Sequence, residues 1–249
     1  MILSEKVALV TGASAGLGRE IALAYAKAGA RVAICDVNDD GGVETLKLLE
    51  DAGAEGLYRH CDVTQPEDHK AFVAAIVDRF GQLDIACNNA GVGARPAGIA
   101  EYDPALWRKV IDVDLSGVFY GMRAQIQAML PRQNGAIVNI SSIMGEVAYL
   151  GSPAYTAAKH GVIGLTKSAA LDYGTKGIRV NAVLPGLIAT AMSEAALTPD
   201  LRKVFEDLHP VGRMSRPEEV SALVLWLSGD AASFCSGGSY PVDGGYLAR

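Results

Sequence analysis

Between the apolar run Val7-Ala-Leu-Val10 and a helical pattern over Glu20 to Ala28 stands Thr11-Gly12-Ala-Ser-Ala-Gly16-Leu-Gly18. A glycine-rich turn joining a strand to a helix limits the fold more than any other stretch. Glycines at 12, 16 and 18 permit a tight turn, close backbone approach to a pyrophosphate and close helix–strand packing. The helix start adds amide donors and a positive dipole. Such a turn alone can be a packing device, and its position is what makes it informative. Asp36 ends the next apolar run, Arg31-Val-Ala-Ile-Cys-Asp36, eighteen residues beyond Gly18. Its carboxylate suits both hydroxyls of an adenine ribose, whereas a 2′-phosphate there meets like charge. No base compensates: Ala15 lies inside the turn and Val37-Asn38 follow the aspartate. The stretch reads as a site for NAD rather than NADP, with Gly12, Ser14, Gly16, Leu17, Gly18 and Asp36 as its contacts.

The same alternation of short apolar run and amphipathic segment continues along the chain, the pattern of βα units building a parallel sheet. Further strands are expected at Leu57 to Cys61, Leu83 to Asn88, Ala136 to Ile140, Ile178 to Leu184 and Ser239 to Val242. Helices are expected from about Gly42 to Ala52, Pro66 to Phe80, Pro104 to Leu130, after Pro153 to near Gly174, and Pro217 to Leu227. The pattern weakens over about 186–213, which suggests a mobile substrate-binding segment with short helices. No linker or internal repeat divides the 249 residues, so the chain 1–249 reads as a single α/β domain.

Composition narrows the class. Half the residues are hydrophobic and a fifth are charged, which fits a folded domain with a full core. No apolar run is long enough to span a bilayer and no signal-type start is present, so no membrane association and a cytoplasmic location are expected. A net charge of −6 without a basic stripe argues against nucleic acid. Cys35, Cys61, Cys87 and Cys235 lack paired spacing and read as buried thiols; the four histidines are scattered, and no metal site is expected.

Polar and glycine residues gather at one edge. Thr11-Gly12, Asp36, Asp62, Asn88, Ser142 and Pro185-Gly186 all fall at or just past the carboxyl ends of the expected strands, where open α/β sheets bind ligands. Tyr155-Thr-Ala-Ala-Lys159 follows Ser142, and on a helix its spacing puts phenol and ammonium on one face, one turn apart. A free tyrosine titrates near ~10 and exchanges protons poorly at neutral pH, but a neighbouring cation stabilises its phenolate. A hydroxyl on Ser142 can hold a carbonyl or alcohol oxygen against that phenol. Together the three read as an acid/base centre.

In order and spacing, the chain resembles the short-chain dehydrogenase/reductase family over nearly its whole length. The residues that carry the resemblance are Thr11-Gly-x3-Gly-x-Gly18, Asp62-Val63, Asn88-Asn-Ala-Gly91, Ser142, Tyr155-x3-Lys159, Asn181, Pro185-Gly186 with Thr190, and Pro241-Val-Asp-Gly-Gly245. The resemblance implies a Rossmann-type, doubly wound, seven-stranded parallel sheet flanked by helices. It also implies a homotetramer paired through the stretches near 104 to 130, 153 to 173 and 238 to 249. By the same resemblance Tyr155 is the proton donor or acceptor, Ser142 orients the substrate oxygen, and Lys159 binds the nicotinamide ribose and lowers the tyrosine pKa. Asp62 and Val63 would hold adenine, while Asn88, Asn89, Ala90 and Gly91 would support the central strand and the cofactor. Pro185, Gly186, Ile188 and Thr190 would face the nicotinamide, with Ile188 and Thr190 on its carboxamide. One position departs from the family: Asp114 stands where asparagine is usual in the catalytic set, where it helps seat a water that connects the lysine to solvent. Aspartate cannot donate through an amide and adds negative charge near Lys159.

Cofactor and acid/base centre together imply hydride transfer between a secondary alcohol and a ketone. With NAD, oxidation is the expected direction. Met144, Tyr149, Leu150, Arg95, Leu187 and Met192 are the pocket candidates, and their mostly apolar character favours an uncharged alicyclic, steroid-like or aliphatic small-molecule alcohol. Two other readings are a reductase of 3-oxoacyl groups on acyl carrier protein, for which Arg123, Arg132 and Lys176 offer a sparse basic surface, and a sensor or scaffold subunit that binds NAD without turnover.

Overall fold

A computed structural model describes residues 1–93, 95–190 and 198–248. Seven strands form one parallel sheet: β1 (Val7–Thr11), β2 (Arg31–Asp36), β3 (Gly56–His60), β4 (Ile85–Asn88), β5 (Gly135–Ile140), β6 (Ile178–Pro185) and β7 (Ser239–Val242). Their order is β3-β2-β1-β4-β5-β6-β7. Each neighbouring pair is parallel, with Val7 beside Arg31 and Ala8 beside Ile85 fixing the register around β1. The winding reverses between β1 and β4. Their carboxyl ends therefore diverge into a crevice, the switch point at which doubly wound sheets bind ligands.

Both faces of the sheet are covered, which is why its strands read as continuous apolar runs. Along β1, Ala8 and Val10 point to one core and Val7 and Leu9 to the other. The first core is closed by α1 (Gly16–Lys27), α2 (Asp39–Asp51) and α8 (Pro217–Ser228), through Ile21, Tyr25, Leu49, Val220, Val224 and Leu227. The second is closed by α3 (Pro66–Phe80), α5 (Gly117–Met129) and α6 (Pro153–Tyr173), through Phe72, Ile76, Val118, Met122, Met129 and Val162. Between β4 and β5 the buried amides of Asn88, Gln125 and Asn139 bond one another, and Asn139 reaches Thr166 on α6.

The helix expected over Pro104 to Leu130 is not continuous. It runs as α4 (Pro104–Ile111), a wide π turn at Asp112–Ser116 and then α5. Within the turn Asp114 is fully buried and its Oδ1 accepts the Val92 N–H at 2.8 Å. The π turn thus carries a long-range bond to the loop after β4. α1 begins at Gly16 rather than Glu20, so the last glycines of the turn are themselves the first helical residues. α2 begins at Asp39 rather than Gly42, because the Asn38 side chain accepts from Gly41 N–H and caps it. In the segment 186–213 the described part carries one helix, α7 (Pro199–Asp207), capped by Thr198.

Candidate active site

Two hollows open at the carboxyl edge and meet at Asn89, Gly91 and Val92. The larger, about 940 Å³, runs from the glycine turn to Asp36 and Asp62. Gly12 has φ +65°, and a Cβ there would lie 2.7 Å from Ala90 Cα, so only glycine lets the turn touch the β4 loop. Gly18 is needed for packing: a Cβ would lie 2.2 Å from Gly12 O and 2.5 Å from Asn89 Nδ2. Gly16 differs, since at φ +56° its Cβ position meets nothing nearer than Thr190 at 3.7 Å and opens onto the groove. Ala15 provides no side-chain cap to α1, which leaves the helix start to a ligand.

The loop around this groove is tied from both sides. Thr11 Oγ1 accepts from the N–H groups of Asn89 and Ala90 at 3.1 Å each, and Asn89 Nδ2 donates back to the carbonyls of Thr11 and Gly12 at 3.0 Å. Asp36 accepts from Ser14 N–H and Asn38 N–H, both at 3.0 Å, which aims its carboxylate at the groove's end. Arg19, the nearest cation on α1, is already bound to Glu44 at 2.6 Å and Thr45 at 2.9 Å. Asp62 caps its own turn through Thr64 N–H at 2.9 Å. An extended dinucleotide fits these features, with pyrophosphate at the uncapped helix and a diol acceptor at the far end.

The smaller hollow, about 430 Å³, holds the second set. Ser142 follows β5 in extended backbone, and its Oγ accepts from Met144 N–H at 3.2 Å, which leaves the hydroxyl proton free to donate into the cleft. Tyr155 and Lys159 stand one turn apart at the start of α6, as the spacing predicts. Lys159 is buried; its Nζ donates to Ile140 O at 3.2 Å, lies 3.5 Å from Asp114 Oδ2 and sits 5.3 Å from the centre of the Tyr155 ring. Burial works against the ammonium, but the attraction of Tyr155 and Asp114 outweighs it and holds Lys159 above the ordinary lysine value. Burial also dominates at Asp114 and raises its carboxyl, against the lowering pull of Lys159 and the Val92 N–H.

Not every expected residue falls where the sequence put it. Gly12, Ser14, Gly16, Leu17, Gly18, Asp36, Asp62, Val63, Asn89, Ala90, Gly91 and Thr190 line the larger groove. Pro185, Gly186 and Ile188, expected at the nicotinamide, line the smaller cleft together with Asp114, Ser142, Met144, Tyr149, Tyr155, Lys159 and Leu187. Met192 lies outside the described residues. Leu150 is 88% exposed and lines a separate apolar recess beside Trp107, and Arg95 is exposed and lines neither hollow. An exposed loop leucine reads like a pocket wall until its neighbours are known. Arg108, Lys109 and Val113 on the groove, and Tyr102, Phe205, His209 and Tyr246 on the cleft, carried no motif that could have marked them.

The chain is similar to known proteins over nearly its whole length. A family model described as enoyl-(acyl carrier protein) reductase matches residues 12–247. A cis-4-hydroxycyclohexanecarboxylate dehydrogenase of Sinomonas cyclohexanicum is 44% identical, with 98% of each chain covered. A cyclohexanol dehydrogenase of Acinetobacter sp. (strain SE19) is 41% identical over 99% of this chain and 96% of the relative. Among solved structures, an actinorhodin polyketide ketoreductase variant with NADPH superposes with a TM-score of 0.94, is 37% identical and covers 98% of both chains.

Proposed function

The chain belongs to the short-chain dehydrogenase/reductase family, and from that premise we propose that it oxidises an uncharged alicyclic secondary alcohol to the ketone with NAD. The reaction class is that of an oxidoreductase acting on CH–OH groups. One observation carries the reading: Ser142, Tyr155 and Lys159 line a cleft that shares Asn89, Gly91 and Val92 with a groove ending at Asp36.

Bound nicotinamide supplies the hydride acceptor. The rest is the chain's own work. Ser142 donates its free proton to the substrate oxygen and holds it against Tyr155, whose phenolate form takes the alcohol proton and becomes the phenol as hydride leaves. Lys159 keeps its charge beside the Tyr155 ring because Ile140 O and Asp114 hold it there. Asp114 also fixes the Gly91–Val92 turn through the Val92 N–H, at the junction of cleft and groove. For the cofactor, Asp36 at the end of the groove supports NAD, and Arg19 is engaged by Glu44. For the substrate, the cleft wall of Ile143, Met144, Tyr149, Leu187, Phe205 and Leu208 is apolar, and its lysine is buried and paired. An alicyclic ring suits such a wall better than a carboxylate does. The names of the two relatives above support a six-membered ring, and that of the cyclohexanol dehydrogenase, though not of the hydroxycyclohexanecarboxylate dehydrogenase, an uncharged one.

The carrier-protein reading loses ground to geometry. Arg132 reaches Gln82 and Asp84, and Lys176 lies over the Tyr173 ring at 4.7 Å; both stand at the amino ends of the strands, opposite the cleft. We place the protein in the cytoplasm as a homotetramer, with 186–213 as its substrate-binding segment. Among the described residues no helix is long and apolar enough to cross a membrane. Initial rates with a panel of cyclic and open-chain secondary alcohols, each with NAD and NADP, test the proposal. Faster turnover with NADP, or none with any neutral alcohol, overturns it.

A further inference from the structure

We propose that His209 is a positioning residue that fixes the Gly186–Leu187 turn at the wall of the catalytic cleft. The proposal rests on the dehydrogenase reading above and extends it to a residue that no motif of the chain marks. His209 follows α7, is 4% exposed and lines the cleft. Its Nδ1 lies 2.8 Å from Phe205 O, and a carbonyl can only accept, so Nδ1 carries the proton. Nε2 is then a lone-pair acceptor, and it takes the Leu187 N–H at 3.2 Å. The neutral tautomer is thereby fixed, with both nitrogens engaged.

The ring also accounts for a glycine. A Cβ on Gly186 would lie 2.5 Å from His209 Nε2 and 3.0 Å from its Cδ2, so the residue after Pro185 is small because the imidazole occupies its side-chain space. The ring also meets that of Tyr246, with centres 5.3 Å apart and planes tilted by 53°. One side chain thus joins the turn after β6, the end of α7 and the C-terminal turn. Each of the three gives a residue to the cleft: Leu187, Phe205 and Tyr246. Ile188, the next residue of the turn, bridges to Ser215; the Leu187 carbonyl accepts from Ser215 N–H at 2.9 Å and Gly186 N–H donates to Val242 O at 3.0 Å, so the Leu187 amide held by His209 lies between two tethered points. A histidine that merely filled space would have no need of an acceptor aimed at that one amide.

Two variants separate the two bonds. His209→Gln keeps an acceptor near the Nε2 position and gives up the Nδ1 donor; His209→Asn does the reverse. The glutamine variant should keep kcat/KM within about threefold of wild type, and the asparagine variant should lose about tenfold or more, the ordinary cost of a buried unpaired amide. NADH affinity should fall by about the same factor in His209→Asn while ADP-ribose affinity stays put, because the adenosine half lies at Asp36 and away from the turn. Hydrogen exchange at the Leu187 amide reports the bond without cofactor: slow in wild type and His209→Gln, fast in His209→Asn. Fast exchange in wild type overturns the proposal whatever the variants do. So do equal activities in the two variants, or NADH and ADP-ribose affinities that fall together. Slow exchange in a wild-type protein that binds no NADH leaves the lock standing and removes the dehydrogenase reading instead.

Discussion

Replacing Asp114 by asparagine removes one negative charge from a buried centre without changing its shape. Asp114 Oδ2 lies 3.5 Å from Lys159 Nζ, which lies 5.3 Å from the centre of the Tyr155 ring. The carboxylate is therefore no more than about 9 Å from that ring, and at an effective dielectric of about 20 a unit charge at about 9 Å contributes about 1.8 kcal/mol. Converted at ~1.4 kcal/mol per unit, this is about 1.3 pH units, and water in the open cleft reduces it to about one. The sign follows from charge. Without Asp114 a proton leaves the catalytic centre more easily, so the acid limb of kcat/KM for alcohol oxidation moves to lower pH. Lys159 also loses one of the two attractions that hold it above the ordinary lysine value, so any alkaline limb moves the same way. The assay is kcat/KM from about pH 5.5 to about 10 in both proteins, with KM for the cofactor as the control. An unchanged profile, or limbs that move to higher pH, refutes the electrostatic role assigned to Asp114.

Tyr155→Phe should lower kcat by about 10³-fold, within the usual range for a lost general acid/base, and leave NADH affinity within about twofold as read by fluorescence titration. Asp36→Ala should cut the preference for NAD over NADP by about tenfold in kcat/KM, as expected when a charge-assisted ribose contact and a repulsive term vanish together. Gly18→Ala forces a Cβ to within 2.2 Å of Gly12 O, and calorimetry should show a Tm lower by about 6 °C or more, from about 3 kcal/mol of overpacking in a chain of this size. A wild-type Tm there would mean that the turn is looser than described.

Much of this was legible in the residues because it is local. Gly12, Gly16, Gly18 and Asp36 sit at fixed offsets on a strand–turn–helix unit, and Tyr155 and Lys159 need only one helical turn to meet. The ends of the inner strands β1, β2, β4, β5 and β6 were legible because both faces of the sheet are buried there, so each is a largely apolar run that stops where the chain meets water. The π turn at Asp112–Ser116 was not: the partners of Asp114 within it are an amide twenty-two residues away and Lys159 on another helix, neither of which local sequence shows. His209 and Tyr246 escaped for a similar reason: they lie on irregular segments, where no period separates a residue facing the cleft from one facing solvent. Leu150 misled in the other direction, as an apolar residue near Ser142 that points away from it.

The central claim is that Tyr155 and the groove ending at Asp36 act on one CH–OH group, the first on its oxygen and the second on its carbon. Cyclohexanol carrying deuterium on its carbinol carbon, turned over once with NAD, tests it directly. The account predicts that mass spectrometry finds the label on the nicotinamide ring of the NADH formed by the wild-type protein, and no labelled NADH from Tyr155→Phe in the same time. Label released to water, or labelled NADH formed equally by the variant, contradicts it.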